Sequence, residues 1–166
     1  MTIRDAVAAD VDMLADIWHQ GWHDAHGPIL PAELARLRTL ESFRDRLLEA
    51  LPDVRVAGPP AGPAGFAIVK GDELYQLYVP PASRGSGIAA ALVADAEARL
   101  SERGVQTAWL ACAIGNDRAA RFYEKCGWQR IATMAYQAET SAGPVTIEVW
   151  RYERSLAPPP RDAGAR

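Results

Sequence analysis

The chain predicts a mixed α/β domain whose mostly antiparallel sheet of about seven strands carries helices on both faces. Three observations lead there. Short apolar stretches and amphipathic helical stretches follow one another as β-α-α-α-β-β-β-α-β-α-β-β. Gly71-Asp72, between residues 65–70 and 73–79, reads as a tight hairpin turn, so the middle of the chain is an antiparallel meander. Residues 73–79, 88–103 and 107–113 read as strand, helix and strand, one crossover unit, so those two strands should run parallel. A length of 166 residues with 49% hydrophobic content suits one domain with a full-sized core.

Taken in order, residues 2–7 form a first strand with Ile3 and Val7 inward. Asp10 should cap a helix that places Val11, Leu14, Ala15, Trp18 and Trp22 on one face. That helix should fade near Gly21 and leave residues 22–28, rich in aromatic and imidazole groups, as a loop. Pro31 opens a second helical stretch with Leu34 and Leu37. Thr39 caps a third, in which Phe43, Leu47 and Leu51 share a face until Pro52 ends it. Residues 54–57 alternate as a strand does, and Gly58-Pro59-Pro60-Ala61-Gly62-Pro63 can only be a loop. In residues 88–103, Ile88, Leu92, Ala96 and Leu100 fall in register at steps of four, and Gly104 ends the helix. Residues 107–113 are a continuous apolar run, as in a strand buried on both faces. Asn116 caps a short helix with Ala119, Phe122, Tyr123 and Cys126 on its stripe, closed by Gly127. Strands near 128–137 and 145–153 flank a turn at 141–144.

Composition excludes several functions. A net charge of −3 with 23% charged residues makes no electrostatic case for nucleic acid. No apolar run approaches the ~20 residues that span a bilayer, so no membrane partner is expected. The N-terminus lacks a basic segment followed by an apolar run, so a secretory signal is not expected and a cytoplasmic protein is. Cys112 and Cys126 sit in apolar patterns with no adjacent base, and read as core fillers. The domain should span 1–155, with residues 156–166, rich in Pro, Gly and Ala, as a disordered tail.

The most informative stretch is 79–89. A strand is stopped by Pro80-Pro81, two glycines follow, and a helix begins. Such a junction leaves free backbone N–H groups at the positive end of a helix dipole, a site for an anion and for phosphate in particular. A mononucleotide loop needs Lys-Ser/Thr after its last glycine, and Ile88-Ala89 stand there instead. Gly85, Gly87 and Ala90 fit a dinucleotide fingerprint. That motif, however, wants its glycines straight after the strand and an acid ending the next one. Five residues separate Val79 from Gly85, and the next strand ends at Ala113.

Arg84-Gly85-Ser86-Gly87-Ile88-Ala89 resembles the [QR]-x-x-G-x-[GA] segment with which the GNAT (GCN5-related) N-acetyltransferase superfamily cradles the acyl-CoA pyrophosphate. Residues 73–79 resemble that family's central strand, and residues 116–128 its N-x-x-A-x-x-F-Y-x-x-x-G-F segment, with Trp128 for Phe. The resemblance runs over about 2–154, and the region 18–51 is where members differ by substrate. It implies the GNAT fold with a splayed parallel strand pair, acetyl-CoA as co-substrate, no metal, and direct attack of an amine on the thioester. For the cofactor it implies Leu77, Tyr78, Val79, Arg84, Gly85, Ser86, Gly87, Ile88, Ala89, Asn116, Ala119, Phe122 and Tyr123. A backbone N–H at a bulge near Leu77 to Val79 would polarise the carbonyl.

Tyr123 is the expected acid for the leaving thiolate, and Glu73 the expected base, with His23 and His26 as rivals. Trp22, His23, His26 and Tyr136 are expected at the acceptor, a small amine or a protein amino-terminus. A cationic acceptor fits the −3 charge loosely. The alternative is an acyl-CoA-binding sensor without catalysis. Monomer and homodimer are both open.

Overall fold

The computed structural model describes residues 2–156. The expected disorder of the tail falls outside these residues from 157 onward. The elements are β1 (Ile3–Asp5), α1 (Val11–His26), α2 (Ala32–Leu37), α3 (Leu40–Ala50), β2 (Val54–Ala57), β3 (Gly65–Lys70), β4 (Glu73–Tyr78), α4 (Ile88–Glu102), β5 (Thr107–Ala113), α5 (Asp117–Lys125), β6 (Gln129–Ala138) and β7 (Val145–Ser155). One sheet holds all seven strands in the order β1-β2-β3-β4-β5-β7-β6. Every neighbouring pair is antiparallel except β4 and β5. The predicted architecture is the observed one, including the parallel crossover.

The sheet separates two cores. On one face Ala57, Ala67, Val69 and Leu74 meet Leu92, Val93, Ala96 and Leu100 of α4. On the other, Val54, Val56, Phe66 and Ile68 meet Leu14, Trp18 and Trp22 of α1 and Phe43 and Leu47 of α3. Successive residues of β3 thus enter opposite cores, and Gly65 to Val69 are all buried, as a strand covered on both sides must be. Trp18 is fully buried, with Phe43 at 4.9 Å and Phe66 at 5.7 Å between ring centroids. Burial of one such side chain stabilises by roughly 1.5–3 kcal/mol.

Four local expectations are corrected. Helix α1 does not fade at Gly21 but continues to His26, so Trp22, His23 and His26 are helical. Gly21 is there for close approach: a Cβ at this position would stand 2.6 Å from Cδ1 of the Tyr78 ring. Gly21→Ala gains about 1 kcal/mol of helix propensity but must move that ring, at a cost of about 1–3 kcal/mol. Thermal unfolding should therefore come a few degrees lower, whereas a raised midpoint would show that the ring yields freely.

Asp10 does not cap α1 forward. Its carboxylate turns back to accept from Val7 N–H (2.8 Å) and both Nη atoms of Arg4 (2.8 Å each), and these bonds hold it ionised. Thr39, by contrast, caps α3 as expected, its Oγ1 accepting from Ser42 N–H at 3.1 Å.

Strand β5 is buried along one face and, on the other, only at Ala113. Ala108, Leu110 and Cys112 pack into the α4 core while Trp109 and Ala111 are half-buried, with Ala111 and Ala113 lining a cavity. The bulge in β4 lies at Tyr75 and not at 77–79, because Val69 pairs with Leu74 and its neighbour Ile68 with Gln76.

Candidate active site

The parallel pair β4–β5 is joined at a single register position, Glu73 opposite Trp109. Trp109 reinforces it, donating its N–H to Asp72 O (3.2 Å) and its indole Nε1–H to Asp72 Oδ1 (2.9 Å). Beyond that point the strands part. The extra residue at Tyr75 turns β4 outward, and the chain after β5 turns away into α5. A cavity of about 420 Å³ lies on the α4 side of this wedge. A smaller one of about 140 Å³ lies on the side of α1 and β6. Leu77, Tyr78, Asn116, Ala119 and Tyr123 line both, so the two spaces meet across the gap between the strands.

The larger cavity is backed by the glycine loop. Gly85 (φ +79°) and Gly87 (φ +84°) are left-handed, and a Cβ at either would project into open space. Gly87 caps α4 without a side-chain bond, so the N–H groups of Ile88, Ala89 and Ala90 have no acceptor within the helix. Of the residues expected at the cofactor, Val79, Arg84, Gly85, Gly87, Ile88, Ala89, Phe122 and Tyr123 also line this space. Ser86 does not; its hydroxyl donates to Ser83 O. Arg118 lines it too, unanticipated, although its position two residues after Asn116 at the start of α5 was a legible signal. Burial, then the nearby Arg118 charge, lower the Arg84 pKa, so these cations share a space that an anion would relieve. A positive helix end, two arginines and glycines that leave room for a ligand form a donor set that fits a pyrophosphate. Asn116 Oδ1 accepts from Ala119 N–H at 3.4 Å, capping α5 at the junction of the two cavities.

Glu73 is the chemical centre of the smaller cavity. Its residue is only 7% exposed, and Tyr136 Oη donates to its Oε2 at 3.1 Å. Burial pushes the carboxyl up to about 7, against the weaker pull of the Tyr136 hydroxyl and the Lys70 charge. Trp22 and His26 line the same space, as does Tyr136. Burial drives the His26 imidazole down to about 4, so it is neutral at physiological pH. His23 lines neither cavity: its Nε2 bonds the Arg38 carbonyl at 2.7 Å. A carbonyl only accepts, so that nitrogen carries the proton. Cys112, also on the wall, is pushed up to about 12 by burial and remains a thiol.

Two arginines in this cavity escape sequence reasoning. Arg38 follows α2, and Arg46 lies on α3 three residues after the buried Phe43. A cation at that spacing, on the stripe of Phe43 and Leu47, was the available signal.

Comparisons with known proteins bear on the family and the fold. The model of the Acetyltransferase (GNAT) family matches residues 12–128. An uncharacterized N-acetyltransferase of Mycobacterium bovis is 32% identical over 114 residues, covering 64% of this chain and 69% of the relative. Among solved structures, the PaiA N-acetyltransferase of Thermoplasma acidophilum in complex with coenzyme A superposes with a TM-score of 0.68 at 18% identity. It covers 93% of this chain and 98% of the other. An aminoglycoside 6'-N-acetyltransferase complexed with coenzyme A gives 0.69 at 19% identity, over 97% and 100%. These structures show the shared fold. The chain belongs to the GNAT acetyltransferase family.

Proposed function

We propose that the protein moves an acetyl group from acetyl-CoA to a primary amine by direct attack within a ternary complex, as a single-domain cytoplasmic enzyme. The observation that carries this reading is the meeting of two unlike cavities at the β4–β5 wedge. One ends in a glycine-lined helix N-terminus, and the other holds a carboxyl that titrates near 7. Acetyl-CoA, when bound, supplies the activated thioester carbon. The free N–H groups of the first turn of α4, with Arg84 and Arg118, hold its pyrophosphate. Leu77 to Val79, along the open edge of β4, supply the backbone that faces the thioester, and Asn116 the contact to the pantetheine arm.

An alkylammonium of pKa near 10 must lose a proton before it attacks. Glu73 takes that proton, held in place by Tyr136. His26, at about 4, is too weak a base, and His23 is committed to the Arg38 carbonyl. Tyr123, on both cavities, donates a proton to the departing sulfur. A sensor without catalysis gives no reason for burying an acidic group beside the wedge at a cost to folding.

Thiol release from acetyl-CoA with a panel of primary amines, the product read by mass spectrometry, tests the reading. Tight binding of acetyl-CoA with no turnover on any amine would favour the sensor. Gly87→Val should weaken acetyl-CoA binding at least about tenfold by calorimetry, because it forces a β-branched residue into left-handed backbone and fills the cradle. Undiminished affinity would move the anion site elsewhere.

A further inference from the structure

The smaller cavity holds more positive charge than the protein satisfies. Arg38 is 4% exposed; its Nη1 donates to Glu139 O at 2.6 Å, and its buried Nε has no partner. Arg46 donates from Nη2 to Tyr75 Oη at 2.9 Å, while its Nη1 is buried and also without a partner. The Arg46 guanidinium lies 4.3 Å over the Trp18 ring, which fixes its position in the wall. Among the described residues, neither arginine forms a salt bridge to a carboxylate. Glu139 contributes only its backbone to Arg38, and its exposed carboxylate lies 3.7 Å from Lys70. Glu73, the other acid on the wall, is bonded to Tyr136.

Buried cations are ordinarily paired, because an unpaired charge in a low-dielectric site is costly. Here burial, more than the neighbouring Arg46 charge, lowers the Arg38 pKa to about 10. A ligand anion supplies what is missing. A guanidinium binds a carboxylate through two parallel N–H donors, which gives direction as well as charge.

We infer that the acceptor is a small amine that also carries a carboxylate, its anionic end held by Arg38 and Arg46 and its amino group presented to Glu73. This assignment rests on the acyl-transfer reading of the site. It reverses the loose expectation of a cationic acceptor, since a polyamine or aminoglycoside would bring further positive charge against two unpaired arginines. The cavity of about 140 Å³ suits an amino-acid-sized molecule.

The test compares four amines of equal carbon count: γ-aminobutyrate, α-aminobutyrate, putrescine and butylamine. At least one aminobutyrate should exceed both uncharged-tail and diamine competitors in kcat/KM by about tenfold or more. Butyrate should inhibit competitively against the amine and not against acetyl-CoA. Arg46→Met replaces the guanidinium over Trp18 with an uncharged thioether and should lower the aminobutyrate-to-butylamine ratio of kcat/KM at least about tenfold. Arg46→Lys should recover part of it, and acetyl-CoA affinity reports that both variants are folded. Putrescine or butylamine preferred by the wild type, or an unchanged ratio in Arg46→Met, overturns the inference and leaves acyl transfer standing. Failure of every amine overturns acyl transfer instead. Calorimetry of butyrate with the wild type and Arg46→Met then judges the anion site by itself: binding lost in the variant supports it, and no binding to the wild type overturns it.

Discussion

Glu73→Gln should lower kcat/KM for the best amine by about a hundredfold or more above neutrality and, at the same pH, make the fold more stable. Both effects have one origin. Burial beside the wedge raises the Glu73 carboxyl from its ordinary 4.5 to about 7. As a base the group works when deprotonated, so wild-type kcat/KM should rise with pH through about 7, in addition to the rise set by the amine itself. Glutamine removes that limb. A limb near pH 7 that survives in the variant would dismiss Glu73, and one controlled by His26 would sit near pH 4.

The stability effect has the opposite sign. A carboxyl whose folded pKa is raised favours folding while it is protonated. That contribution is whole below about 4.5 and is lost as pH rises through about 7. Above neutrality the native state carries a buried carboxylate, at a cost on the order of 2 kcal/mol after allowance for water in the open cavity. Glutamine keeps the size of the side chain and an oxygen for the Tyr136 hydroxyl, without the charge. The variant should therefore unfold about 4–8 °C higher than wild type at alkaline pH, and at nearly the same temperature near pH 4. A variant destabilised at alkaline pH and not near pH 4 would mean that the Glu73 charge is itself structural.

The fold and the glycine loop were largely legible because their signals are local. Gly71-Asp72 sets the hairpin, the strand-helix-strand run sets the parallel pair, and Gly85 and Gly87 need left-handed backbone that few other residues adopt. Gly21 was misread because sequence does not distinguish a glycine that ends a helix from one that admits a ring; Tyr78, which explains it, is 57 residues away. Asp10 was misread for a similar reason, as Arg4 on β1 competes for its carboxylate. Residues 107–113 read as doubly buried because an apolar run looks the same against a helix as against a cavity wall. The smaller cavity was the least legible part. Its residues come from α1, the end of α2, α3, β4 and β6, and the missing counter-charge at Arg38 and Arg46 exists only once those elements are assembled.

Tyr123→Phe should lower kcat about a hundredfold and leave acetyl-CoA affinity within about twofold. The ring contacts persist in the variant: Phe122 at 5.4 Å, Tyr152 at 6.3 Å and Trp128 at 6.4 Å between centroids. Only the hydroxyl is lost, so stability should barely change. Burial raises the phenol well above its ordinary 10, which keeps its proton in place and, taken alone, makes it a weaker acid. The same surroundings disfavour a thiolate. Cys112, on the wall of the cavity that Tyr123 lines, is raised from 9 to about 12, burial being the largest cause. A bare sulfur anion leaving into this wedge meets the same penalty, so the gap between phenol and thiol is kept even though both values rise. A hundredfold loss corresponds to about 2.7 kcal/mol, within reach of one proton delivered to a desolvated sulfur. Single-turnover thiol release separates this step from product dissociation. An undiminished rate in Tyr123→Phe would take the acid role away from Tyr123 and leave the thiolate to depart unassisted.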